Sequence, residues 1–190
     1  MIIQLEDFIT DYECEFLSNK IDSLVVNEKF GPDPFYHWIN LDSDDPLFST
    51  PFFQKLIAKH FQFLNEKVDK RDWDIDYIGF AYQTKGFPYH ADAVWPENET
   101  DRELGEPSHD HDGYTHYKGD WIDNYVPQRI FTTVLYLNNV GGGETHFPDH
   151  NITVQPNKKK IVGFHCDEKH VHGVMPVTSG IRKALILWFK

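Results

Sequence analysis

The stretch Tyr89-His90-Ala91-Asp92 is the first place where residue type and spacing suggest chemistry. On an extended strand, side chains two apart point to the same side. An imidazole nitrogen and a carboxylate oxygen at that spacing could share one ion. Two His and one carboxylate on one face of an octahedron is the usual way proteins hold reactive non-haem Fe(II). His-x-Asp also arises by chance, so the pair needs a second His and something for the open metal positions to act on.

The chain has 11 His residues from which to draw that second ligand. His172 stands in His172-Gly173-Val174-Met175-Pro176-Val177, ahead of Gly180-Ile181-Arg182. Gly173 and Pro176 would end one strand and turn the chain, so the next strand returns past the metal carrying Arg182. His170 shares the strand parity of His172, and alternation does not separate them. The distance to Arg182 and the following Gly-x-x-Pro-Val favour His172. Arg182 is basic inside an otherwise apolar strand, Ala184-Leu185-Ile186-Leu187-Trp188. Such a charge is paired with an internal Asp or Glu, or it faces an opening. A guanidinium holds a carboxylate through two parallel hydrogen bonds. Beside His90, Asp92 and His172, it points to an anionic cosubstrate next to the metal.

Other candidates have plainer readings. Gly141-Gly142-Gly143 is expected to be a tight turn; a phosphate loop would need a helix pattern after it, which is missing. His109, Asp110, His111, Asp112 and His116 could bind a metal of their own, but a solvated loop is the simpler expectation. His60 and Cys14 fall on apolar helical stripes and are read as packing residues.

The elements that must position these residues can be traced in order. Met1 to Leu5 suggests a short strand. Thr10 with Glu13 three residues on is a capping box, and Cys14, Leu17, Ile21 and Leu24 follow at helical spacing. Residues 29 to 50 suggest a long connection, with a short strand at 35–39. Ser49-Thr50-Pro51 opens a second helix, with Phe53, Leu56, Ile57, His60, Phe61 and Leu64 as its buried stripe. From Asp74 the period becomes that of strands. One strand runs through Tyr82, Lys85-Gly86 is a turn, and the next strand carries His90 and Asp92. Residues 93 to 127 form a long acidic and aromatic insertion, expected to act as a lid. Strands then follow at 129–138, 144–147, 152–154, 161–164, 169–173 and 180–188. Two helices followed by many short strands predict a mainly β fold with supporting helices, a jelly-roll core. The boundaries are one domain over 1–190, with a helical layer about 10–68, a core about 74–190 and the insertion at 93–127.

Bulk properties narrow the function classes. The 190 residues are 40% hydrophobic and 15% aromatic, as a packed domain requires. Net charge is -12, from 30 acidic against 18 basic residues. That argues against a nucleic-acid partner and fits a cationic or neutral one better. Two cysteines are too few for a disulfide framework. No signal peptide and no spanning apolar run are evident, so a soluble cytoplasmic protein is expected.

The ordered set of motifs resembles the Fe(II)/2-oxoglutarate-dependent dioxygenases, and within them the prolyl 4-hydroxylase branch. It comprises His90-x-Asp92, Arg129-x-x-Thr132, Leu135-Tyr136-Leu137-Asn138, Gly142-Gly143-Glu144-Thr145-x-Phe147, Val154-x-Pro156, His172-x-x-x-Pro176-Val177-x-x-Gly180-x-Arg182 and Trp188. The opening, Leu5 to Cys14, also resembles that branch. The resemblance implies a double-stranded β-helix, with His90, Asp92 and His172 as iron ligands. It implies Arg182 for the distal carboxylate of 2-oxoglutarate, with Tyr136 assisting and Tyr82 as a further cosubstrate residue. The branch's collagen-type members usually carry Lys at the position of Arg182, and the branch often has Tyr at that of Phe87. The implied activity uses Fe(II), 2-oxoglutarate and O2, with ascorbate as an optional reductant. It hydroxylates a peptidyl residue such as proline and releases succinate and CO2. The rivals are a non-catalytic cupin-like metal-binding protein, a hydroxylase of a free amino acid or other small molecule, a zinc hydrolase, and a basic-peptide module without chemistry. The zinc reading lacks a His-Glu-x-x-His base motif. Oligomeric state is not encoded in any of these signals.

Overall fold

The computed structural model describes residues 1–26, 36–40, 45–96, 121–122, 126 and 128–190, with backbone only at 36–40, 95–96 and 121–122. The chain begins with strand β1 (Ile2–Leu5) and helix α1 (Asp11–Val26). The capping box is formed: the Thr10 N–H donates to Glu13 Oε2 at 2.8 Å, and the Glu13 N–H to Thr10 Oγ1 at 3.2 Å. Strand β2 (Tyr36–Asn40) precedes helix α2 (Pro51–Lys67), whose N-cap Thr50 accepts from the Phe53 N–H. Phe53, Leu56, His60, Phe63 and Leu64 are buried, while Ile57 and Phe61 are only partly so. Phe63 thus joins the expected stripe one helical turn beyond His60. No helix among the described residues is long and apolar enough to cross a membrane.

The rest is strand. The elements are β3 (Ile75–Gln83), β4 (Phe87–His90), β5 (Trp95–Pro96), β6 (Trp121–Ile122), β7 (Phe131–Tyr136), β8 (Gly141–Gly142) and β9 (Thr145–Phe147). They continue as β10 (Ile152–Val154), β11 (Ile161–His165), β12 (His172–Val174), β13 (Val177–Ser179) and β14 (Arg182–Phe189). A six-stranded sheet runs β1-β11-β7-β14-β3-β2, and a four-stranded sheet runs β10-β9-β12-β4. Two small pairs, β13-β8 and β5-β6, complete the set.

The large sheet is apolar on both faces because strand side chains alternate. Phe80, Leu135, Leu185, Leu187 and Phe189 face α1 and α2 in one cluster. Ala81, Val134, Ala184, Ile186 and Trp188 face the small sheet in another, with Phe147 and Val154 opposite. Gly163 makes room for two rings: a Cβ there would stand 2.7 Å from Phe131 on β7 and 3.2 Å from Phe63 on α2.

Two expectations change. Gly141-Gly142-Gly143 is not a free turn; Gly141 and Gly142 form β8 against β13. Gly142 and Gly143 both have φ of 71°, and a Cβ on Gly142 would lie 2.2 Å from the Pro176 carbonyl oxygen. Glycine is needed there to bend the chain against its neighbour. Asp92 is likewise not on a strand, since β4 ends at His90 and Asp92 sits in the bend that follows.

His60 is a core residue, as its stripe suggests. Its Nδ1–H donates to the Leu56 carbonyl at 2.9 Å, and the Phe8 ring meets its edge at 4.9 Å. Burial lowers its pKa to about 4. Because the folded value lies below that of the unfolded chain, the unfolded state binds the extra proton first. This group therefore removes stability as pH falls through the unfolded value toward the folded one, and the loss levels off below it. The span corresponds to about 3 kcal/mol. We expect His60→Leu to flatten the loss of stability between about pH 7 and pH 4 by that order, as read by urea unfolding at each pH. An unchanged acid slope would show that His60 is not the titrating group.

Candidate metal and cosubstrate site

Strands β4 and β12 are antiparallel neighbours, and their register sets His90 directly opposite His172. Their rings lie 4.4 Å apart. Both point into the space between the sheets. His90 Nδ1–H donates to the Pro88 carbonyl at 2.9 Å, and His172 Nδ1–H to the His170 carbonyl at 3.1 Å. Each bond fixes the tautomer and leaves Nε2 as a bare lone pair. The Asp92 Oδ1 stands 3.5 Å from His90 Nε2 and 3.9 Å from His172 Nε2. All three donor atoms fall within 4.8 Å of one another, the one such group among the described residues.

This donor set fits a divalent ion. Donors at right angles, each about 2.1 Å from an ion, stand roughly 3 Å apart, so the three side chains, now within 4.8 Å of one another, must draw together on an ion. Protonation states agree. Burial, reinforced by the charge His90 would carry, lowers the His172 pKa to about 4, so its ring is neutral. Burial alone would raise the Asp92 pKa, but the positive charge the His172 and His90 rings carry when protonated, together with the Thr132 hydroxyl, outweighs it, so the carboxyl is already ionised before the rings lose their protons. Neutral imidazole and carboxylate are the forms that bind metal. His170 is excluded for a physical reason. It lies in a 3-10 turn (Glu168–His170) and its Nδ1 pairs with Asp167.

Arg182 begins β14 and is only 2% exposed. Among the described residues no carboxylate pairs with it, so the internal salt bridge is not found. Its partners are neutral: Nε–H donates to the Gly143 carbonyl at 3.0 Å, Nη2 to Thr145 Oγ1 at 3.2 Å, and Nη1 to Gln83 Oε1. The Tyr136 ring lies 5.1 Å from the guanidinium carbon, and the Tyr136 hydroxyl shares a hydrogen bond with Thr145 Oγ1 at 2.7 Å. Burial lowers the Arg182 pKa, with Tyr136 opposing, but a guanidinium keeps its proton in water. The bonds to Gly143, Thr145 and Gln83 use three of its five N–H groups, and the Tyr136 side chain also hydrogen-bonds to the guanidinium, so at most two are left to grip a carboxylate.

Both centres open on one cavity of about 620 Å³ between the sheets. His90, Asp92 and His172 line it, as do Arg182, Gln83 and Thr145. Tyr82 does not. Residues alternate along β3, so Gln83 faces the cavity and Tyr82 packs with the cluster beneath the helices. Tyr136, the other tyrosine expected at the cosubstrate, does not line the cavity either; it stands behind Arg182 and Thr145. Gln83, Thr145 and Gly143 were not anticipated as partners of Arg182. Parity could have exchanged Tyr82 for Gln83, but the pairing of Gln83 with Arg182 across β3 and β14 is a property of register. Thr132 was also missed as a partner of Asp92, to whose Oδ2 it donates at 2.5 Å. The candidate ligands His109, Asp110, His111, Asp112 and His116 lie outside the described residues, as does most of the expected lid.

Comparison with known proteins agrees with this arrangement. Residues 80–190, more than half of the chain and all of the cavity wall from Gln83 on, match the model of the 2OG-Fe(II) oxygenase superfamily. A putative prolyl 4-hydroxylase of Acanthamoeba polyphaga mimivirus is 36% identical over 72 residues, covering 33% of this chain and 30% of that protein. Human prolyl 3-hydroxylase 1 is 39% identical over 67 residues, covering 32% of this chain and 9% of that protein. The chain thus matches about a third or less of the length of these curated relatives. The crystal structure of a viral collagen prolyl hydroxylase from Paramecium bursaria Chlorella virus-1, in complex with 2OG, superposes with a TM-score of 0.63. It is 21% identical, and the superposition covers 99% of this chain and 94% of that one. That likeness shows the fold, a double-stranded β-helix. With the family model, the fold and the His–Asp–His donor set in agreement, this chain belongs to the 2OG-Fe(II) oxygenase superfamily.

Proposed function

We propose that the protein is an Fe(II)- and 2-oxoglutarate-dependent hydroxylase of a peptidyl residue, with proline as the first substrate to test. The observation that carries the cosubstrate is the buried Arg182 guanidinium, neutral in all its described partners, on the same cavity as the His–Asp–His donors. A metal-storage barrel has no need of an uncompensated buried cation, whose burial is costly without an anion. The peptide class follows from the prolyl hydroxylases among its relatives. A net charge of -12 would steer a Lys- or Arg-rich segment toward the protein.

His90, Asp92 and His172 would hold the iron through Nε2, Oδ1 and Nε2. With iron bound, the centre couples decarboxylation of 2-oxoglutarate by O2, giving succinate and CO2, to insertion of the second oxygen atom into a substrate C–H bond. Arg182 would bind the distal carboxylate, and Gly143, Gln83 and Thr145 would keep its fork aimed into the cavity. Tyr136 would support this through Thr145. Val134, Phe164 and Ile186 give the same cavity an apolar wall, which would help keep water from the reacting groups.

Three outcomes are expected. Asp92→Ala should abolish succinate formation, measured with Fe(II), ascorbate and 2-oxoglutarate. Turnover that persisted would remove Asp92 from the ligand set. Gln83→Glu would give Arg182 a buried carboxylate partner and should weaken 2-oxoglutarate binding at least about tenfold. Anaerobic thermal unfolding reads this: at a cosubstrate concentration near 100 times the dissociation constant, the wild type gains about 2.7 kcal/mol, and the variant should gain much less. Equal gains would place the carboxylate elsewhere. Mass spectrometry of proline-containing peptides after turnover should show one added oxygen. Oxygen appearing on free amino acids and never on peptides would replace the peptide reading by the small-molecule one.

A further inference from the structure

Asp92 differs from the two imidazoles in how it is held. His90 and His172 are fixed by a strand ladder. Asp92 lies past the end of β4, where no ladder bond sets its side chain. Its two oxygens are not equivalent. Oδ1 faces both imidazoles, and Oδ2 accepts from Thr132 Oγ1 at 2.5 Å. Thr132 sits on β7, central in the large sheet, and is 1% exposed.

The Thr132 hydroxyl also lies 3.1 Å from the Cys166 sulfur. A hydroxyl has one proton, and an ionised carboxylate can only accept. Thr132 must therefore give its proton to Asp92, and the Cys166 thiol must donate to Thr132. Cys166 is buried and reaches the same segment by a second route. Its carbonyl accepts from the Ala93 N–H at 3.0 Å, while its own N–H donates to the Ile130 carbonyl at 3.1 Å.

We infer that Thr132 and Cys166 form a positioning pair: the chain Cys166 Sγ–H to Thr132 Oγ1–H to Asp92 Oδ2 occupies one carboxylate oxygen so that Asp92 offers the metal Oδ1 alone. A single oxygen from Asp92 keeps one more metal position open than a chelating carboxylate would. Cys166 does not line the cavity; Thr132 does, and it commits its one proton to Asp92. Outer partners of this kind typically change metal affinity by about 10- to 100-fold when removed. The inference rests on His90, Asp92 and His172 being the ligands.

The test is calorimetric titration of the full-length apoprotein with Mn(II) alone, without cosubstrate, beside thermal unfolding of each variant. Thr132→Val should raise the Mn(II) dissociation constant about 10- to 100-fold, and Thr132→Ser, which keeps the hydroxyl, should restore it to within about threefold. Cys166→Ala should weaken binding by a smaller factor, and Cys166→Ser should recover it. The effect of Cys166→Ala should vanish in the Thr132→Val background, because the thiol acts only through that hydroxyl. Wild-type affinity in a folded Thr132→Val protein would overturn the inference. So would an equal Cys166→Ala effect in both backgrounds. If Thr132→Val fails to fold, the Cys166→Ala and Cys166→Ser pair decides alone, and equal affinities in the two would overturn the inference. A wild type that takes up no Mn(II), or an Asp92→Ala variant that binds as the wild type does, would instead sink the ligand assignment beneath it.

Discussion

Strand β14 is hydrogen-bonded on both sides, to β3 and to β7, and a slip of one residue would exchange its two faces. Leu185, Leu187 and Phe189 would leave the helices, and Ala184, Ile186 and Trp188 would leave the inter-sheet core. That apolar cost on both faces locks the register. Arg182 and Lys183 are adjacent basic residues, and the lock sends them to opposite fates. Lys183 turns to the helix side and pairs with Asp22 at 2.6 Å. Arg182 turns inward, where no described carboxylate meets it. A one-residue difference in position thus separates an ordinary surface ion pair, worth little, from a buried charge kept for a ligand.

The cavity holds charges of both signs, stabilised differently. Asp92 accepts from the Thr132 hydroxyl, and Arg182 is solvated by a carbonyl, an amide and a hydroxyl. Neither neutralises the other. A ligand with a carboxylate at one end and metal-binding oxygens at the other would satisfy both centres at once. Neutral partners also leave Arg182 ready to exchange its anion, whereas an internal carboxylate would compete with it. Gly143 contributes because it has no side chain. A Cβ there would meet Arg182 Cδ at 3.2 Å, and the residue's positive φ aims its carbonyl at the guanidinium.

What could be read from the sequence was mostly local or periodic. The capping box at Thr10 and Glu13 spans one turn, and its signal is complete within four residues. The helical stripes and the strand period likewise need only neighbours. The choice of His172 over His170 used Arg182 as a ruler, and the structure separates the two by a 3-10 turn that no period announces. Tyr82 entered through the family resemblance, and alternation along β3 turns Gln83 rather than Tyr82 toward the cavity. Gln83 and Thr145 became partners of Arg182 only through folds of the chain separated by 99 and 37 residues. Contacts at such separations follow from register and sheet packing, which a single sequence does not display.

The site is split between the two sheets, so its geometry depends on the gap between them. The small sheet carries His90 and His172; the large one carries Arg182, Gln83 and Thr132. Packed sheets stand about 10 Å apart, with interdigitating side chains setting the distance. Here the spacer is aromatic. Phe147 on β9 and Phe164 on β11 meet at 5.0 Å across the gap, and their rings lie 5.5 Å and 4.5 Å from that of His172. The same pair that holds the sheets apart therefore also orients one metal-facing imidazole. Close-packed interiors transmit small volume changes rather than absorbing them. Metal geometry and cosubstrate reach are for that reason coupled to the core between the sheets, and the site cannot be loosened at one end without being felt at the other.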